Sequence, residues 1–154
     1  MRSILALALV LSSYPVLAAD DCHVEAGPND VVKKTGDVVI TEGQVVEDAV
    51  ALDGKVILKK GATVKNAVSF HGDVLVEDGA TVTKSALTIG GSVKVAKGAS
   101  VKSTVEISDK GVRVRGEDGK DVDVNLSFNG KSLGQTIADE ALSKMKNCRI
   151  TAKK

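Results

Sequence analysis

Apolar and polar residues alternate in short runs through the middle of this chain, and the runs recur about every 18 residues. Alternation with a period of two predicts β-strands, and β-branched residues, which dominate the runs, favour the same conformation. A unit this short cannot bury its apolar side alone, so a fixed repeat of this length predicts a solenoid. The equivalent apolar pairs are Val38 and Ile40, Val56 and Leu58, Val74 and Val76, and Val93 and Val95.

Two glycines punctuate each copy of the repeat. Because glycine adopts the left-handed conformations that tight corners often require, these positions predict the corners of each coil. We therefore expect an all-β fold: a single-stranded β-helix of about 18 residues per coil, with four coils over residues 36–108. The corner glycines are Gly36, Gly54, Gly72 and Gly91, followed seven residues later by Gly43, Gly61, Gly79 and Gly98.

Five apolar columns appear when the four copies are aligned, and we expect all five to face the core. The last two columns align only if the third copy has one extra residue within 83–86. The columns are Val38, Val56, Val74, Val93; Ile40, Leu58, Val76, Val95; Val46, Val64, Val82, Val101; Val50, Val68, Leu87, Val105; and Leu52, Phe70, Ile89, Ile107.

The sign of the charge alternates from copy to copy, beginning with an acidic first copy. One column contains Glu42, Lys60, Asp78 and Lys97, and stacking at about 4.8 Å would place each acid beside a base. The alternation would also penalise a slipped register. If the ends of the solenoid are bare, Lys97 and Lys102 of one molecule would meet Glu42 and Glu47 of the next. These four residues are candidate assembly contacts.

The chain outside the repeat divides into four further segments. Residues 1–18 are a predicted signal peptide, with Arg2 before an apolar run too short to span a bilayer. Residues 19–35 are expected to form an irregular N-terminal lead-in, and residues 109–130 a β-hairpin. Residues 131–154 should form a C-terminal helix and tail, because Ser132 and Gln135 fit a capping box. The apolar stripe of this helix is Leu133, Ile137, Ala141 and Met145.

Two cysteines, Cys22 and Cys148, remain after signal cleavage. An even number of cysteines in an exported chain favours a disulfide. A helix lying antiparallel along the solenoid would return Cys148 to the first coil. We therefore predict an intrachain disulfide between Cys22 and Cys148 that joins the two ends of the chain.

The composition argues against several functional classes. Loss of Arg2 leaves twenty basic and twenty acidic residues, and only two phenylalanines remain as aromatic residues, so we expect no nucleic-acid partner. We expect no catalytic residues, no cofactor and no enzyme activity, because His23 and His71 accompany no catalytic motif. We also expect no metal site, because the spacing of Cys22, His23 and Cys148 matches no zinc pattern. No transmembrane segment is expected after signal cleavage.

The repeat Gly-Asp-Val-x-Val-x-x-Gly-Ala-x-Val resembles that of the bactofilins, the polymer-forming cytoskeletal proteins of bacteria. The resemblance is carried by Gly36, Gly54, Gly72 and Gly91 with the valine-rich columns that follow them, and it covers about 36–108. It implies a right-handed β-helix with three faces per coil. It also implies end-to-end assembly into filaments without a nucleotide.

Together these patterns predict an exported structural or assembly protein of the bacterial cell envelope, located in the periplasm or outside the cell. Self-association and contact with cell-envelope polysaccharide are the expected partner classes. The alternative is a monomeric secreted binding module, either an adhesin or a β-solenoid that contacts polysaccharide. Whether the chain polymerises or is capped as a monomer stays open at the level of sequence.

Overall fold

The computed structural model describes residues 23–124, 127–128, 131–132, 139–140, 143–144 and 148–153. The predicted signal peptide and Cys22 lie outside the described residues. The described strands, in chain order, are β1 (His23–Ala26), β2 (Val31–Lys33), β3 (Val38–Ile40), β4 (Val45–Ala51), β5 (Val56–Leu58), β6 (Thr63–Ser69), β7 (Val74–Val76), β8 (Thr81–Ile89), β9 (Val93–Val95), β10 (Ser100–Ser108), β11 (Gly111–Arg115), β12 (Asp121–Val124), β13 (Ser127–Phe128), β14 (Lys131–Ser132) and β15 (Arg149–Ala152).

Two sheets of stacked rungs form a β-solenoid of about four turns, as the repeat predicts. The short sheet has the order β3-β5-β7-β9, and the long sheet has the order β12-β11-β10-β8-β6-β4-β2. Strands from successive coils pair in parallel about 18 residues apart, so Val38 lies beside Val56 and Val46 beside Val64. Equivalent positions of the repeat therefore stack directly on one another.

The extra residue predicted within 83–86 is a β-bulge in β8. Val64 pairs with Val82, and the next paired residues are Asn66 and Ser85. Two residues of β8, Thr83 and Lys84, therefore oppose one residue of β6, as in a bulge. The bulge keeps the rest of β8 in register with the coils on both sides.

Three of the five predicted columns fill the interior. Val38, Val56 and Val74 of the first column are fully buried, as are Ile40 and Leu58 of the second. The third column is also buried through its first three members, and all of these side chains belong to one core cluster. The valine-rich alternation therefore identifies the core of two sides of the coil correctly.

The fourth column, predicted to face inward, lies on the opposite face of its strands from the core cluster, whereas Leu52 and Ile89 of the fifth column are buried. Ala49, Ala67 and Ala86 are fully buried in the core cluster and lie next to the fourth column in sequence. Adjacent strand residues point to opposite faces, and no member of either predicted column belongs to that cluster.

A corner within the long strands causes this change of face. Val46 and Ala49 are both buried although they are three residues apart, an odd spacing that an uninterrupted strand would place on opposite faces. The chain therefore turns between them, and the coil has three sides. The third side contributes alanine side chains to the core, and Ser69 and Thr88 on this side are also buried. Their hydroxyls donate to the carbonyl oxygens of Gly54, at 2.7 Å, and Gly91, at 3.0 Å.

Glycine is required where the second, third and fourth copies begin, because successive coils approach closely at this corner. A Cβ atom at Gly72 would lie 2.6 Å from the carbonyl oxygen of Gly54, which is closer than non-bonded atoms can pack. The second set of corner glycines serves another purpose, since Gly43, Gly61 and Gly79 have φ values of 72°, 73° and 74°. Those corners need the left-handed conformation.

The segments flanking the solenoid contain more β-strands than the sequence predicts. The lead-in, expected to be irregular, contains β1 and β2, and β2 pairs with β4 as an additional half-rung. The predicted hairpin is confirmed, because β11 pairs antiparallel with β12 and extends the long sheet beyond β10. Near the other terminus, β15 pairs in parallel with β1. The chain therefore returns to its beginning.

The predicted C-terminal helix lies mostly outside the described residues and stays a prediction. Two described residues of this segment form an ion pair, with Lys144 Nζ 2.8 Å from Glu140 Oε1. A spacing of four residues between the members of such a pair is the one that a helix brings together.

The assignment of residues to the core can be tested by changing valine to aspartate at a buried position and at an exposed one. Val64→Asp places a charge in the interior, where Val64 is fully buried, and should reduce the free energy of unfolding by roughly 3–5 kcal/mol. Val45→Asp is the control, because Val45 lies on the first rung with 74% of its surface exposed, and it should cost no more than about 1 kcal/mol. Urea denaturation measures both, and equal midpoints for the two variants would contradict the assignment.

Candidate functional site

The C-terminal end of the solenoid leaves its core partly open. Strand β9 is the last of its sheet, and no further strand among the described residues pairs with its outer edge. Val95 is 43% exposed, whereas the equivalent Ile40 and Leu58 on earlier rungs are fully buried. Val93 is likewise only partly buried. The two apolar columns of the short sheet therefore end at a surface that solvent reaches.

A groove of about 530 Å³ occupies this open end. Its floor consists of small apolar side chains from the last coil, Val93, Val95, Ala99 and Val101. Its opposite wall includes Glu106, Arg113 and Arg115, from β10 and β11. The Glu106 carboxylate crosses the end of the coil and accepts the backbone N–H of Val93 at 2.7 Å. One edge donor of β9 is thereby satisfied inside the protein.

The charges on the hairpin wall are paired with one another. Arg113 Nε donates to Asp123 Oδ1 at 2.8 Å, and Arg115 Nη2 donates to Asp121 Oδ2 at 2.8 Å. The hydrogen bond from Arg115 lowers the pKa of Asp121 below its usual value, and each aspartate raises the pKa of its arginine. The Arg115–Asp121 pair thus remains ionised around neutral pH. The groove therefore combines an apolar floor with a wall whose ions largely neutralise one another.

The N-terminal end of the solenoid is more completely covered. Val38 and Ile40 belong to the first rung of the short sheet, yet both are fully buried. On the long sheet, the N–H of Glu47 donates to the carbonyl of Asn29 at 2.9 Å. The N–H of Asp48 donates to Asp30 Oδ1 at 3.1 Å. The half-rung before the first coil thus satisfies the backbone groups that a bare end would expose.

The four candidate assembly contacts lie near the two ends and differ in their availability. Glu42, Lys97 and Lys102 are exposed. Glu47 is also exposed, but its Oε1 already lies 3.0 Å from Lys65 Nζ on the next coil. An intermolecular contact through Glu47 would therefore compete with an internal ion pair.

Charge alternation produces ion pairs between coils, although outside the Glu42 column. Lys59 Nζ lies 2.5 Å from Glu77 Oε1, and Lys94 Nζ lies 2.9 Å from Asp73 Oδ2. Within the continuous described stretch 23–124, no ion pair joins members of the Glu42, Lys60, Asp78 and Lys97 column. Exposed pairs of this kind contribute about 0–1 kcal/mol each. Their main effect is to support the register of the coils.

A polar ladder at the corner of the long strands was missed by the sequence reasoning. Asp48 Oδ1 accepts from Asn66 Nδ2 at 2.7 Å, and Asn66 Oδ1 accepts from the Ser85 hydroxyl at 3.2 Å. These residues occupy equivalent positions in successive coils. Three short polar side chains in one column are the signal that could have identified the ladder, since such side chains bond readily at turns.

Each histidine lies beside a polar side chain at the surface. His23 Nε2 lies 2.8 Å from the Thr151 hydroxyl, and His71 Nδ1 lies 3.3 Å from Asp53 Oδ1; both histidines are exposed. Among the described residues there is no group of three or more metal-ligating side chains. No helix in that part of the chain is long and apolar enough to cross a membrane.

Comparisons with family models, curated proteins and solved structures found no match to this chain.

Asp73 illustrates how an acid on one coil bonds to the next. Its carboxylate accepts from Lys94 Nζ at 2.9 Å and from the backbone N–H of Ser92 at 3.0 Å. Both bonds favour the charged form. The pKa of Asp73 therefore lies below its ordinary value of 3.8, with the Lys94 bond as the largest cause.

Lys94→Met should raise the pKa of Asp73 by removing its strongest partner, which an NMR titration of the Asp73 carboxyl carbon measures. A carboxyl group whose pKa is lower in the folded than in the unfolded state stabilises the fold at pH values above its unfolded-state pKa. This contribution disappears as the pH falls through the folded-state pKa. The parent should therefore exceed Lys94→Met in unfolding free energy by about 0.2–1 kcal/mol at neutral pH, and the difference should close in strong acid. Lys97→Met, on the same coil, is the control, and identical Asp73 titrations in parent and Lys94→Met would refute the assignment.

Proposed function

We propose that this chain is an exported structural protein of the bacterial cell envelope that self-associates through the C-terminal end of its β-solenoid. The observation that carries the proposal is the open last rung, where Val93 and Val95 lack the cover that their equivalents have on every earlier coil. Exposed strand edges with apolar side chains are the surfaces through which β-proteins associate. Export rests on the predicted signal peptide, residues 1–18.

The two ends of the solenoid favour a limited assembly over an unlimited one. Head-to-tail stacking would bring Lys97 and Lys102 toward Glu42 and Glu47, and repetition would give a filament. That arrangement requires two bare ends, and the buried state of Val38 and Ile40 argues against a bare N-terminal end. Contact between two C-terminal ends closes after one step and gives a dimer. A dimer is therefore the smallest assembly that the open end supports.

The alternative is a monomeric secreted module that binds in the groove at the same end. The groove of about 530 Å³ falls within the size range of ligand sites. Its apolar floor and paired ions suit an extended, uncharged polymer such as an envelope polysaccharide. The alternative needs no second copy of the chain, so the state of association separates the two functions.

A disulfide between Cys22 and Cys148 belongs to the same proposal. His23 pairs with Arg149 in the parallel register of β1 and β15, and Cys22 and Cys148 directly precede these two residues in the sequence. Cys148 is 2% exposed, and no described cysteine is free. The bond would close a loop of well over 100 residues, which the loop-entropy model values at about 4–5 kcal/mol.

Peptide mapping without reduction tests the disulfide. We expect one linked peptide that contains Cys22 and Cys148 of the same molecule, and reduction should lower the melting temperature because the unfolded chain gains freedom. Two free thiols, or a linkage between two molecules, would rule the bond out. Cys148→Ser should reproduce the melting temperature of the reduced parent and should not shift further on reduction.

Analytical ultracentrifugation of the oxidised mature chain, with negative-stain imaging, tests self-association. The parent should sediment as a species larger than a monomer. Val95→Glu should dissociate it, because a charge replaces apolar surface at the open end. Val39→Glu is the matched control, since Val39 is 41% exposed on the first rung, and it should associate like the parent.

The outcomes separate the candidate functions. A parent chain that stays monomeric at all concentrations would favour the binding module. Filaments would show that the N-terminal end also takes part. Circular dichroism spectra should be the same for both variants, so that loss of association in Val95→Glu is not loss of fold.

A further inference from the structure

The first valine of each short-sheet strand donates its backbone N–H toward the following coil. In the first three coils the acceptor is a backbone carbonyl, and the bonds are Val38 to Lys55 at 2.8 Å, Val56 to Asp73 at 3.1 Å and Val74 to Ser92 at 3.1 Å. Val93 holds the equivalent position in the last coil, where the acceptor is the Glu106 carboxylate at 2.7 Å. A side-chain oxygen of β10 therefore stands where a further coil would place a carbonyl.

The other backbone groups on the outer edge of β9 point toward solvent. In a parallel ladder, alternate residues of a strand bond to the same neighbouring strand. Ser92 accepts from β7 and Ala96 donates to β7, so the backbone groups of Val93 and Val95 face away from β7. No described strand pairs with that edge. Besides the N–H bonded to Glu106, the edge therefore offers one donor, the Val95 N–H, and two acceptors, the carbonyls of Val93 and Val95.

The inward position that Glu106 occupies contains a small side chain in each earlier coil. The strand register aligns Glu106 with Thr88, Ser69 and Ala51, and these three residues are fully buried. A carboxylate covered by another coil would lose its hydration at a high cost in free energy. Glutamate therefore fits this column only at the end of the stack, and its side chain must move before another strand can pair with β9.

Two cavities follow the edge of β9, and Glu106 lines both of them. One, of about 530 Å³, is lined by Val93 and Val95, and the other, of about 450 Å³, by Gly91 and Ser92. Together the cavities extend along the whole of β9. On the neighbouring side, β11 and β12 extend the long sheet by two strands, or about 10 Å, beyond β10. A strand added to β9 would therefore lie level with β11.

We infer that the end of the solenoid binds one extended segment of another polypeptide, paired with β9, and that this segment displaces Glu106 from the Val93 N–H. Its alternate residues are small and apolar, because they continue the columns that end at Val93 and Val95. A saccharide lacks the regular N–H and C=O groups that this edge complements. The matching rung of a second copy is its first, where Val38 and Ile40 are already buried, so the segment comes from a different chain. The inference does not require self-association, because a monomer has the same edge.

Fluorescence anisotropy with the oxidised mature chain tests the binding. The probe is a labelled peptide with the sequence of residues 72–80, which contains β7, a strand that pairs within the short sheet. Glu106→Ala should bind this peptide at least tenfold more tightly than the parent, because the competing carboxylate is gone. Glu106→Gln should stay close to the parent, since its amide oxygen can still accept from Val93. Glu117→Ala is the matched control, because Glu117 is exposed and lines neither cavity.

Three outcomes of this measurement would overturn the inference. The first is equal affinity of the parent and Glu106→Ala, and the second is no peptide binding by either protein. The third is binding of an N-acetylglucosamine hexamer at this end without binding of the peptide. The same peptide carrying Val74→Asp and Val76→Asp should not bind, because its alternate side chains would bring charges onto the apolar floor.

Hydrogen exchange measured by NMR tests the Glu106 contact without relying on self-association. The Val93 amide should exchange at least tenfold faster in Glu106→Ala than in the parent, whereas the Val56 amide, which bonds within the stack, should not change. Saturating peptide should restore protection at Val93 and add it at Val95. Unchanged exchange at Val93 in Glu106→Ala would refute the role of Glu106. A parent that sediments as a monomer would contradict the proposed association and leave this result standing.

Discussion

The direct stacking of equivalent backbone positions in successive coils is the constraint on which the rest of this structure depends. Each rung lies about 4.8 Å from the next, and this spacing leaves no room for a side chain at the corner where Gly72 faces the carbonyl of Gly54. The same stacking joins Val38 to Val56 and Asp48 to Asn66. Core packing, corner geometry and polar ladders are therefore consequences of one repeated translation.

Stacking also leaves the apolar side chains and backbone groups of the terminal coils without a neighbouring coil, so each end of a solenoid needs a cap. The two ends of this solenoid are capped differently. At the first coil, the half-rung that contains Asn29 and Asp30 satisfies the backbone donors of β4. At the last coil, the hairpin covers β10 and leaves β9 with its apolar side chains partly exposed. The apolar side chains of the solenoid are therefore more exposed at the last coil than at the first.

The sequence predicted the repeating strands of the fold correctly, but it did not predict the corner within the long strands. The columns through Val38 and Val64 were predictable, because β-branched alternation and burial coincide there. The column through Val50 was not, because the prediction carried one alternation across a corner that reverses the faces between Val46 and Ala49. The alanine column beside it was present in the sequence. Alanine is a weak signal of a core position, however, since the residue is common at surfaces as well.

The groove at the open end was not predicted, and the four predicted assembly contacts do not line it. Glu42, Lys97 and Lys102 are exposed as the sequence suggested, but nothing in the repeat indicated that the last coil is the open one. That property arises from the pairing of β11 with β10 and of β15 with β1. Each pairing involves at least one strand outside the periodic region, and the second joins residues more than 120 positions apart. A local sequence pattern does not predict contacts between residues so far apart in the chain. Cys22 and Cys148 were the sequence feature that pointed to contact between the two ends.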